Sequence, residues 1–351
     1  MVLYQCCPNI LNGQRFCAKL AMNGTVMVQL YCYEKSKENE MKKVLKIIGV
    51  VALVLIVCIF ALLKYLGSRP AAPTNYQKDV QTGGNIEEKY MSNGAYEVSR
   101  YEETVLQGFS KYIIHYPSSM SDENHTYPVI VISNGSGTPL SKYPAVAQHF
   151  ASWGFIVIGT EEKYDWNGFA AEMCVRRLQV LNETKTVNSQ ENVFYQKVDF
   201  DNVGIVGHSQ GGVGVLNAIT AQQHSDVFKA AVSLSPTNKE LAHKLQWDYD
   251  TTKVDIPIML IAGEGGGDDW VLTGKQLEEI YNDIDSNKIM LRRKNTVHNE
   301  TLYSANGYVT AWFMYWLQGD EEAGKAFMSE NPEIISNELY QDQKISLIES
   351  K

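Results

Sequence analysis

Six short apolar runs, rich in valine and isoleucine, constrain the fold of this chain more than any other feature. Each run has the length and composition of a strand that is buried on both faces of a sheet. The runs are residues 127–133, 155–159, 202–207, 229–234, 257–263 and 287–292. Amphipathic stretches of helical period alternate with them, at residues 142–153, 168–183, 210–223 and 273–284. This alternation predicts an α/β fold, with a mostly parallel central sheet and helices on both faces.

A continuous apolar segment, residues 44–63, lies upstream of these runs and is interrupted only by Lys46. About 20 such residues span a bilayer as a helix, and this segment has no polar face. Basic residues are slightly denser before the segment than after it, which favours an N-terminus inside the cell and the main domain outside. The sequence therefore predicts a single-pass protein of the cell membrane with an extracytoplasmic domain, or a secreted one if the anchor is cleaved.

Met41 begins a stretch, MKKVLKIIGVVALVL, that resembles the start of a bacterial signal peptide or signal anchor. We interpret residues 1–40 as an extension that results from a start codon placed too early; the alternative is a short cytoplasmic tail. Runs near 96–103 and 109–116 predict antiparallel strands at one edge of the sheet. The predicted organisation is an extension at 1–40, a transmembrane helix at 41–66, a linker at 67–95, the main domain at 96–328 and a polar tail at 329–351.

The charge and the cysteines exclude some classes of function. The net charge of −9 argues against a nucleic-acid partner, because phosphate binding needs a basic surface. Cys174 is the only cysteine in the main domain, so we expect no intramolecular disulfide there. The early cysteines lack the paired spacing of a zinc site. We predict neither a metal nor another cofactor, and the sequence does not indicate an oligomeric state.

The segment GHSQGG, residues 207–212, joins a predicted buried strand to a predicted helix. It fits the G-x-S-x-G pattern of a nucleophile elbow, in which Ser209 would project above the sheet in a strained conformation. Side chains at Gly207 and Gly211 would clash in so tight a turn. This context predicts an α/β-hydrolase fold with Ser209 as the nucleophile.

A serine nucleophile needs a base and an acid that orients the base, and in this fold the acid precedes the histidine along the chain. The loop EGGGDDW follows the strand 257–263, and its acids are Glu264, Asp268 and Asp269. We favour Asp268, with Asp269 as the alternative. His298 is the only histidine downstream of these acids, so we predict that it is the base.

The oxyanion hole of this fold uses two backbone N–H groups. One belongs to the residue after the serine, here Gln210. The second comes from the glycine-containing loop after strand 127–133, where we favour Ser136 over Gly135. Trp166, Trp247 and Trp270 lie on loops at the same end of the sheet; they are predicted to line the pocket or to pack locally. Only about 22 residues join strand 229–234 to strand 257–263, so we expect an open cleft without a helical cap.

Together, the motifs SNGSGTP, GFIVIGTEE, VGIVGHSQGG and AWFMYWLQGDEEAGKAF resemble the dienelactone-hydrolase-like branch of the α/β-hydrolases. This branch includes chlorophyllase-like and cutinase-like polyester hydrolases, and the resemblance covers residues 96–328. It implies cofactor-free ester hydrolysis by a serine mechanism. By motif position, the family roles fall on Ser209, on Asp268 or Asp269, on His298, and on Gln210 and Ser136. Ser136 stands where polyester hydrolases carry an aromatic residue, which argues against plastic-like substrates.

The predicted function is that of a serine carboxylesterase or lipase-like acyl hydrolase, which acts through an acyl-enzyme on Ser209. Its partner would be a small-molecule or lipid-like ester. One alternative is a membrane-anchored acyltransferase with the same triad, in which another alcohol replaces water. The other is a non-catalytic binding module on the same scaffold, which would be expected to carry a damaged triad.

Overall fold

The computed structural model describes residues 4–6, 17–19, 25–104, 111–187 and 189–347. The chain divides into two units, Met1–Arg69 and Pro70–Lys351. Residues 1–3, 7–16 and 20–24 of the predicted extension at 1–40 lie outside the described residues. So do residues 109 and 110 of the second predicted edge strand and the last four residues of the predicted tail.

The first unit contains strands β1 (Tyr4–Cys6) and β2 (Cys17–Lys19), which pair antiparallel, and helix α1 (Thr25–Ser68). The window Lys37–Leu62 of α1 is long and apolar enough to cross a membrane, and none of it is buried within the protein. This window overlaps the predicted transmembrane segment and begins before it.

The second unit is organised around one large sheet. The strands of the unit are β3 (Val98–Glu103), β4 (Tyr112–Pro117), β5 (Tyr127–Ser133), β6 (Ile156–Thr160), β7 (Thr186–Val187), β8 (Gln190–Glu191), β9 (Val198–His208), β10 (Phe228–Leu234), β11 (Ile258–Glu264), β12 (Lys288–Lys294) and β13 (Tyr340–Ser346). Its helices are α2 (Tyr76–Asp79), α3 (Asn85–Met91), α4 (Pro144–Ser152), α5 (Phe169–Glu183), α6 (Gln210–Ala221), α7 (Lys239–Lys244), α8 (Asp268–Val271), α9 (Gly274–Asn282), α10 (Thr301–Ser304), α11 (Asn306–Gln318), α12 (Glu321–Met328) and α13 (Glu333–Ser336).

The strand order across the sheet is β13-β12-β11-β10-β9-β5-β6-β4-β3, and β7 pairs separately with β8. The six central strands from β12 to β6 are parallel, whereas β13, β4 and β3 pair antiparallel with their neighbours. The six predicted parallel strands and the predicted antiparallel edge are therefore confirmed. Because the carboxyl ends of parallel strands meet at one edge, the loops after β5, β6, β9, β10, β11 and β12 lie at the same end of the sheet.

Both faces of the sheet are covered, as the continuous apolar runs require. In β5, Ile130 faces one core, together with α4 and α11, while Val131 faces the other, together with α5, α6 and α9. Cys174 of α5 is a buried free thiol in the second core.

Two segments outside residues 96–328 are part of the same unit. Helix α3 lies in the segment interpreted as a linker, and it packs against α11. Strand β13 lies in the segment interpreted as a polar tail, and it pairs antiparallel with β12. A helix as short as α3 is marginal alone and depends on tertiary contacts. These include a buried ion pair between Glu87 and Arg293, with Nη1 of Arg293 3.1 Å from Oε1 of Glu87.

Candidate active site

Ser209 occupies a sharp turn between β9, which ends at His208, and α6, which begins at Gln210. Its φ of 59° and ψ of −120° are unusual for a residue with a side chain. A Cβ at Gly207 would lie within 3.0 Å of the backbone of Gly211. The turn thus needs glycine, as the sequence predicted.

Helix α6 packs equally closely against the end of β5. A Cβ at Gly211 would lie within 3.0 Å of the carbonyl oxygen of Ser133. The amide of Ser209 also donates to the carbonyl of Leu234 at 2.8 Å, which ties the turn to the end of β10. The backbone conformation of Ser209 is therefore fixed from both neighbouring strands.

His298 brings the serine and the acid together. It opens a 3₁₀ turn (His298–Glu300) after β12, and its Nε2 lies 2.8 Å from the Oγ of Ser209. Its Nδ1 lies 2.6 Å from Oδ1 of Asp268. When Nδ1–H donates to the carboxylate, Nε2 is left as the acceptor for the serine hydroxyl proton.

Asp268 is fully buried at the start of α8. Its Oδ2 accepts hydrogen bonds from the amide of Gly263 and from the hydroxyl of Ser235, the latter at 3.1 Å. Gly267, with a φ of 112°, permits the turn that brings the carboxylate under the histidine. These contacts hold the carboxylate in position to orient the base.

The other two acids of this loop face elsewhere. Oδ1 of Asp269 accepts from Nη2 of Arg292 at 2.8 Å, and the Asp269 side chain is 53% exposed. Oε2 of Glu264 accepts from the amide of Asn295 at 3.3 Å. Of the three candidate acids, Asp268 alone contacts His298.

His208 supports the base through its backbone. The ring Nε2–H of His208 donates to the carbonyl of His298 at 2.8 Å, and the hydroxyl of Thr301 donates to the same carbonyl at 2.7 Å. Burial, together with the nearby His298, lowers the pKa of His208 to about 3, so the ring stays neutral. His208 therefore holds the backbone of His298 in place.

The two expected oxyanion donors belong to segments that adjoin Ser209. Gln210 is the first residue of α6, where backbone N–H groups have no partner within the helix. A Cβ at Gly135 would lie 3.8 Å from the Cβ of Ser209, so the loop that carries Ser136 passes close to the nucleophile. Among the described residues, neither the N–H of Gln210 nor that of Ser136 makes a hydrogen bond.

The rim of the site is open and partly apolar. Between β10 and β11 the chain forms only the short α7 and one 3₁₀ turn, so no cap of helices is present in the described part of this connection. Trp270 is 81% exposed beside the acid, whereas Trp166 and Trp247 are half-buried. Large exposed apolar side chains follow four of the strands at this end of the sheet: Tyr164, Phe169, Leu245, Trp270 and Val297.

Sequence reasoning missed the polar residues that support the site. Ser235 follows β10 directly, with a φ of 41°, and its hydroxyl lies within hydrogen-bonding distance of both Asp268 and Thr301. Arg292 contacts Asp269 and donates from Nε to the carbonyl of Gly263 at 3.1 Å. The one available signal was their position at the carboxyl ends of strands. Among the described residues, no group of acidic, histidine or cysteine side chains is suited to a metal ion.

The chain is similar to known proteins over most of its second unit. A family model described as PET hydrolase-like matches residues 75–344. Cutinase est1 of Thermobifida alba is 26% identical over 259 residues, which cover 71% of this chain and 81% of the cutinase. Bis(hydroxyethyl) terephthalate hydrolase of Streptomyces coelicolor is 24% identical over 222 residues, covering 61% of this chain and 64% of that enzyme. Cutinase 1 of Thermobifida cellulosilytica is 30% identical over 177 residues, covering 49% and 60% respectively.

These relatives carry the names of ester hydrolases, which favours hydrolysis over the acyltransferase and binding-module alternatives. The family match spans well over half of the chain and most of the second unit, including the serine turn, the acid loop and the histidine. The chain therefore belongs to the PET hydrolase-like family of α/β-hydrolases and is a serine hydrolase that cleaves ester bonds.

Proposed function

We propose that Ser209, His298 and Asp268 are the catalytic triad of a carboxylesterase. The observation that carries this proposal is the unbroken pair of hydrogen bonds from Ser209 Oγ to His298 Nε2 at 2.8 Å and from His298 Nδ1 to Asp268 Oδ1 at 2.6 Å. The strained turn at Ser209 and the burial of Asp268 add support.

The proposed reaction proceeds through an acyl-enzyme. Nε2 of His298 takes the proton of Ser209 as Oγ attacks the ester carbonyl, and Asp268 stabilises the imidazolium. The backbone N–H groups of Gln210 and Ser136 hold the oxyanion of the tetrahedral intermediate. The imidazolium then protonates the departing alcohol. A water molecule, deprotonated by His298, then attacks the acyl-enzyme. The imidazolium returns the proton to Oγ of Ser209 as the bond to the acyl group breaks and the acid leaves.

We propose that the substrates are esters with apolar or aromatic acyl groups. The exposed side chains of Tyr164, Trp270 and Val297 at the rim support this class, because burial of apolar surface favours binding. The names of the relatives, cutinases and a bis(hydroxyethyl) terephthalate hydrolase, point the same way. Ser136 is exposed and small, and we infer that it leaves the oxyanion side of the cleft open to soluble esters.

We also propose that α1 anchors the protein in the cell membrane and that the hydrolase unit is extracytoplasmic. The window Lys37–Leu62 and the basic residues before its apolar part support this arrangement. A membrane-impermeant fluorophosphonate would label the protein on intact cells if the unit is outside. Labelling that appears only after lysis would contradict the orientation. Recovery of the protein in the medium without α1 would show that the anchor is cleaved.

The hydrolase mechanism is tested with the full chain in a non-ester detergent. Hydrolysis of p-nitrophenyl acetate, butyrate and octanoate and of bis(hydroxyethyl) terephthalate is compared for the parent, Ser209→Ala and His298→Ala. We expect both variants to lose at least about a thousandfold in kcat, and Ser209→Ala also to lose fluorophosphonate labelling. Asp269→Asn is the matched control and should retain activity. A folded parent that neither hydrolyses these esters nor reacts with the probe would refute the proposal.

A further inference from the structure

The last residue of β6 and the loop that follows it, together residues 160–165, hold the loop that carries Ser136. Nδ2 of Asn134 donates to two backbone carbonyls of residues 160–165, both at 2.8 Å. The amide of Gly137 donates to the carbonyl of Lys163 at 2.7 Å. Ser136 is therefore held from both sides by contacts to a single neighbouring loop.

Asp165, at the end of this loop, contacts three further elements and is 1% exposed. Its Oδ2 accepts from the hydroxyl of Ser133, at the end of β5, at 2.7 Å. Its Oδ1 accepts from the amide of Ala170 in the first turn of α5, also at 2.7 Å. Its own amide donates to Oε1 of Gln210 at 3.1 Å. Asp165 thus links the start of the loop that carries Ser136 to the side chain of Gln210, the residue after Ser209.

The space around Asp165 leaves little freedom for these contacts to shift. A Cβ at Gly214 would lie within 3.0 Å of both the carbonyl oxygen of Asp165 and the hydroxyl of Ser133, so α6 packs directly on this junction. No cation pairs with Asp165 among the described residues. Burial raises the pKa of Asp165 to about 7, although its hydrogen bonds oppose the shift. A buried carboxyl group without a cation is costly, and such groups concentrate at functional sites.

We propose that Asp165 is a positioning residue for the oxyanion hole, which sets the N–H of Gln210 relative to the N–H of Ser136. This inference rests on the proposed function. Oxyanion donors accelerate a reaction only when they are held in place before charge develops on the substrate oxygen. The hydrogen bonds of Asp165 reach Ser133, at the end of the strand that leads to Ser136, and the side chain of Gln210, but none of the triad side chains. Loss of the Asp165 carboxylate removes its bonds to Ser133 and Ala170 and leaves the backbone bond to Gln210 without that support. It should therefore weaken stabilisation of the oxyanion while the triad remains assembled.

The test compares an oxygen ester with the matching thionoester, in which sulfur replaces the carbonyl oxygen. Sulfur is a poor hydrogen-bond acceptor. The ratio of kcat on the oxygen ester to kcat on the thionoester therefore reports directly on the oxyanion hole. The full chain is used in detergent, with Asp165→Ala as the main variant. We expect its kcat on the oxygen ester to fall about tenfold or more while KM changes little. The thionoester rate should fall much less, so the ratio should decrease.

Further variants distinguish a role in positioning the oxyanion donors from a general loss of stability. Asp165→Asn can still accept from Ala170 and contact the hydroxyl of Ser133, so its ratio should stay close to that of the parent. Glu172→Ala removes another buried carboxylate, on α5, whose partners are His224 and Arg176. It should lower stability without changing the ratio.

If Asp165→Ala does not fold, Ser133→Ala removes the same contact from the other side and should lower the ratio several-fold. An equal loss on both esters, or an unchanged ratio in the folded variants, would overturn the inference. By contrast, an active Ser209→Ala enzyme would mean that the proposed mechanism itself has failed.

Discussion

The imidazole rings of His208 and His298 lie with their centroids 4.6 Å apart, inclined at 42°, and the first donates a hydrogen bond to the backbone carbonyl of the second. His208, next to Ser209, thus helps to hold His298, the proposed base. His208→Phe keeps an aromatic ring but removes the donor. We expect kcat to fall about fivefold, which corresponds to one ordinary hydrogen bond, with KM unchanged.

Steady-state kinetics on p-nitrophenyl butyrate would measure this effect. His208→Gln, which retains a donor, serves as the control and should recover part of the loss. A kcat for His208→Phe equal to that of the parent would mean that the bond does not help to position His298.

Replacement of the two neighbouring acids should have very different effects. In Asp268→Asn the amide cannot stabilise the imidazolium, so we expect kcat to fall about three to four orders of magnitude. Asp269→Asn affects only a half-exposed ion pair with Arg292 and should change kcat less than about threefold. Steady-state kinetics of the two variants and the parent would show which of the two acids orients His298. A larger loss for Asp269→Asn would assign the acid role to that residue instead.

The glycines of the serine turn should not tolerate a methyl group. In Gly211→Ala the new Cβ would overlap the backbone of Ser133, and we expect a loss of stability of about 3 kcal/mol or more. Gly266→Ala, on the acid loop, is the matched control, because its Cβ would lie 3.5 Å from the nearest side chain, that of Val297. Thermal unfolding of both variants in detergent would test this. Equal melting temperatures for Gly211→Ala and Gly266→Ala would show that the serine turn can shift to accommodate a methyl group.

His115 should make the fold sensitive to acid. It is 1% exposed, and neither ring nitrogen has a hydrogen-bond partner among the described residues. Burial, and to a lesser extent the charge of Arg100, lower its pKa to about 4 from the ordinary 6.5. Between these two values the unfolded chain binds a proton that the folded protein does not. The free energy of unfolding therefore falls as the pH is lowered, by up to about 1.4 kcal/mol per pH unit from this group.

His115→Leu should reduce this pH dependence and raise stability at pH 7 by about 1 kcal/mol, because it removes two unpaired buried nitrogens. Urea unfolding from pH 7 to pH 4 would measure both effects. His125→Leu changes a histidine that is 50% exposed, and its profile should match that of the parent. If the free energy of unfolding of His115→Leu falls with pH as steeply as that of the parent, the result would contradict a neutral, buried His115.

The buried ion pair between Glu87 and Arg293 should contribute to the stability of the whole unit. Arg293 also donates to the hydroxyl of Tyr340 at 2.7 Å, and Asn337 donates to Glu87 at 2.8 Å. Glu87→Ala leaves the arginine buried and unpaired, which costs about 3–5 kcal/mol. Lys89→Ala, on the same helix, breaks an exposed pair and should cost less than about 1 kcal/mol. Similar melting temperatures for the two variants would show that α3 adds little to the unit.

The parallel strands were predictable because their sequences are apolar on both faces. Strand β13 was not, since it lies at the sheet edge and only Tyr340 among its residues is buried. Helices α2 and α3 were missed for a related reason. They have only four and seven residues, and polar groups such as Glu87 hold them in place, so their stability comes from residues distant along the chain.

The candidate triad residues could be named from their order along the chain, because the fold restricts where each one can stand. The choice between Asp268 and Asp269 needed coordinates, since it depends on which of two adjacent side chains points inward. Asp165 and Ser235 could not be identified in advance. They act through hydrogen bonds between separate loops, and no spacing along the chain encodes such contacts.

The Glu87–Arg293 pair also has a consequence for biosynthesis. Its two residues are separated by 206 positions, so the ribosome adds Glu87 long before it adds the arginine that neutralises the carboxylate. Strand β13, which pairs with β12, follows Arg293 along the chain and is synthesised later still. The hydrolase unit therefore cannot complete its fold until residue 293 and β13 have both been synthesised.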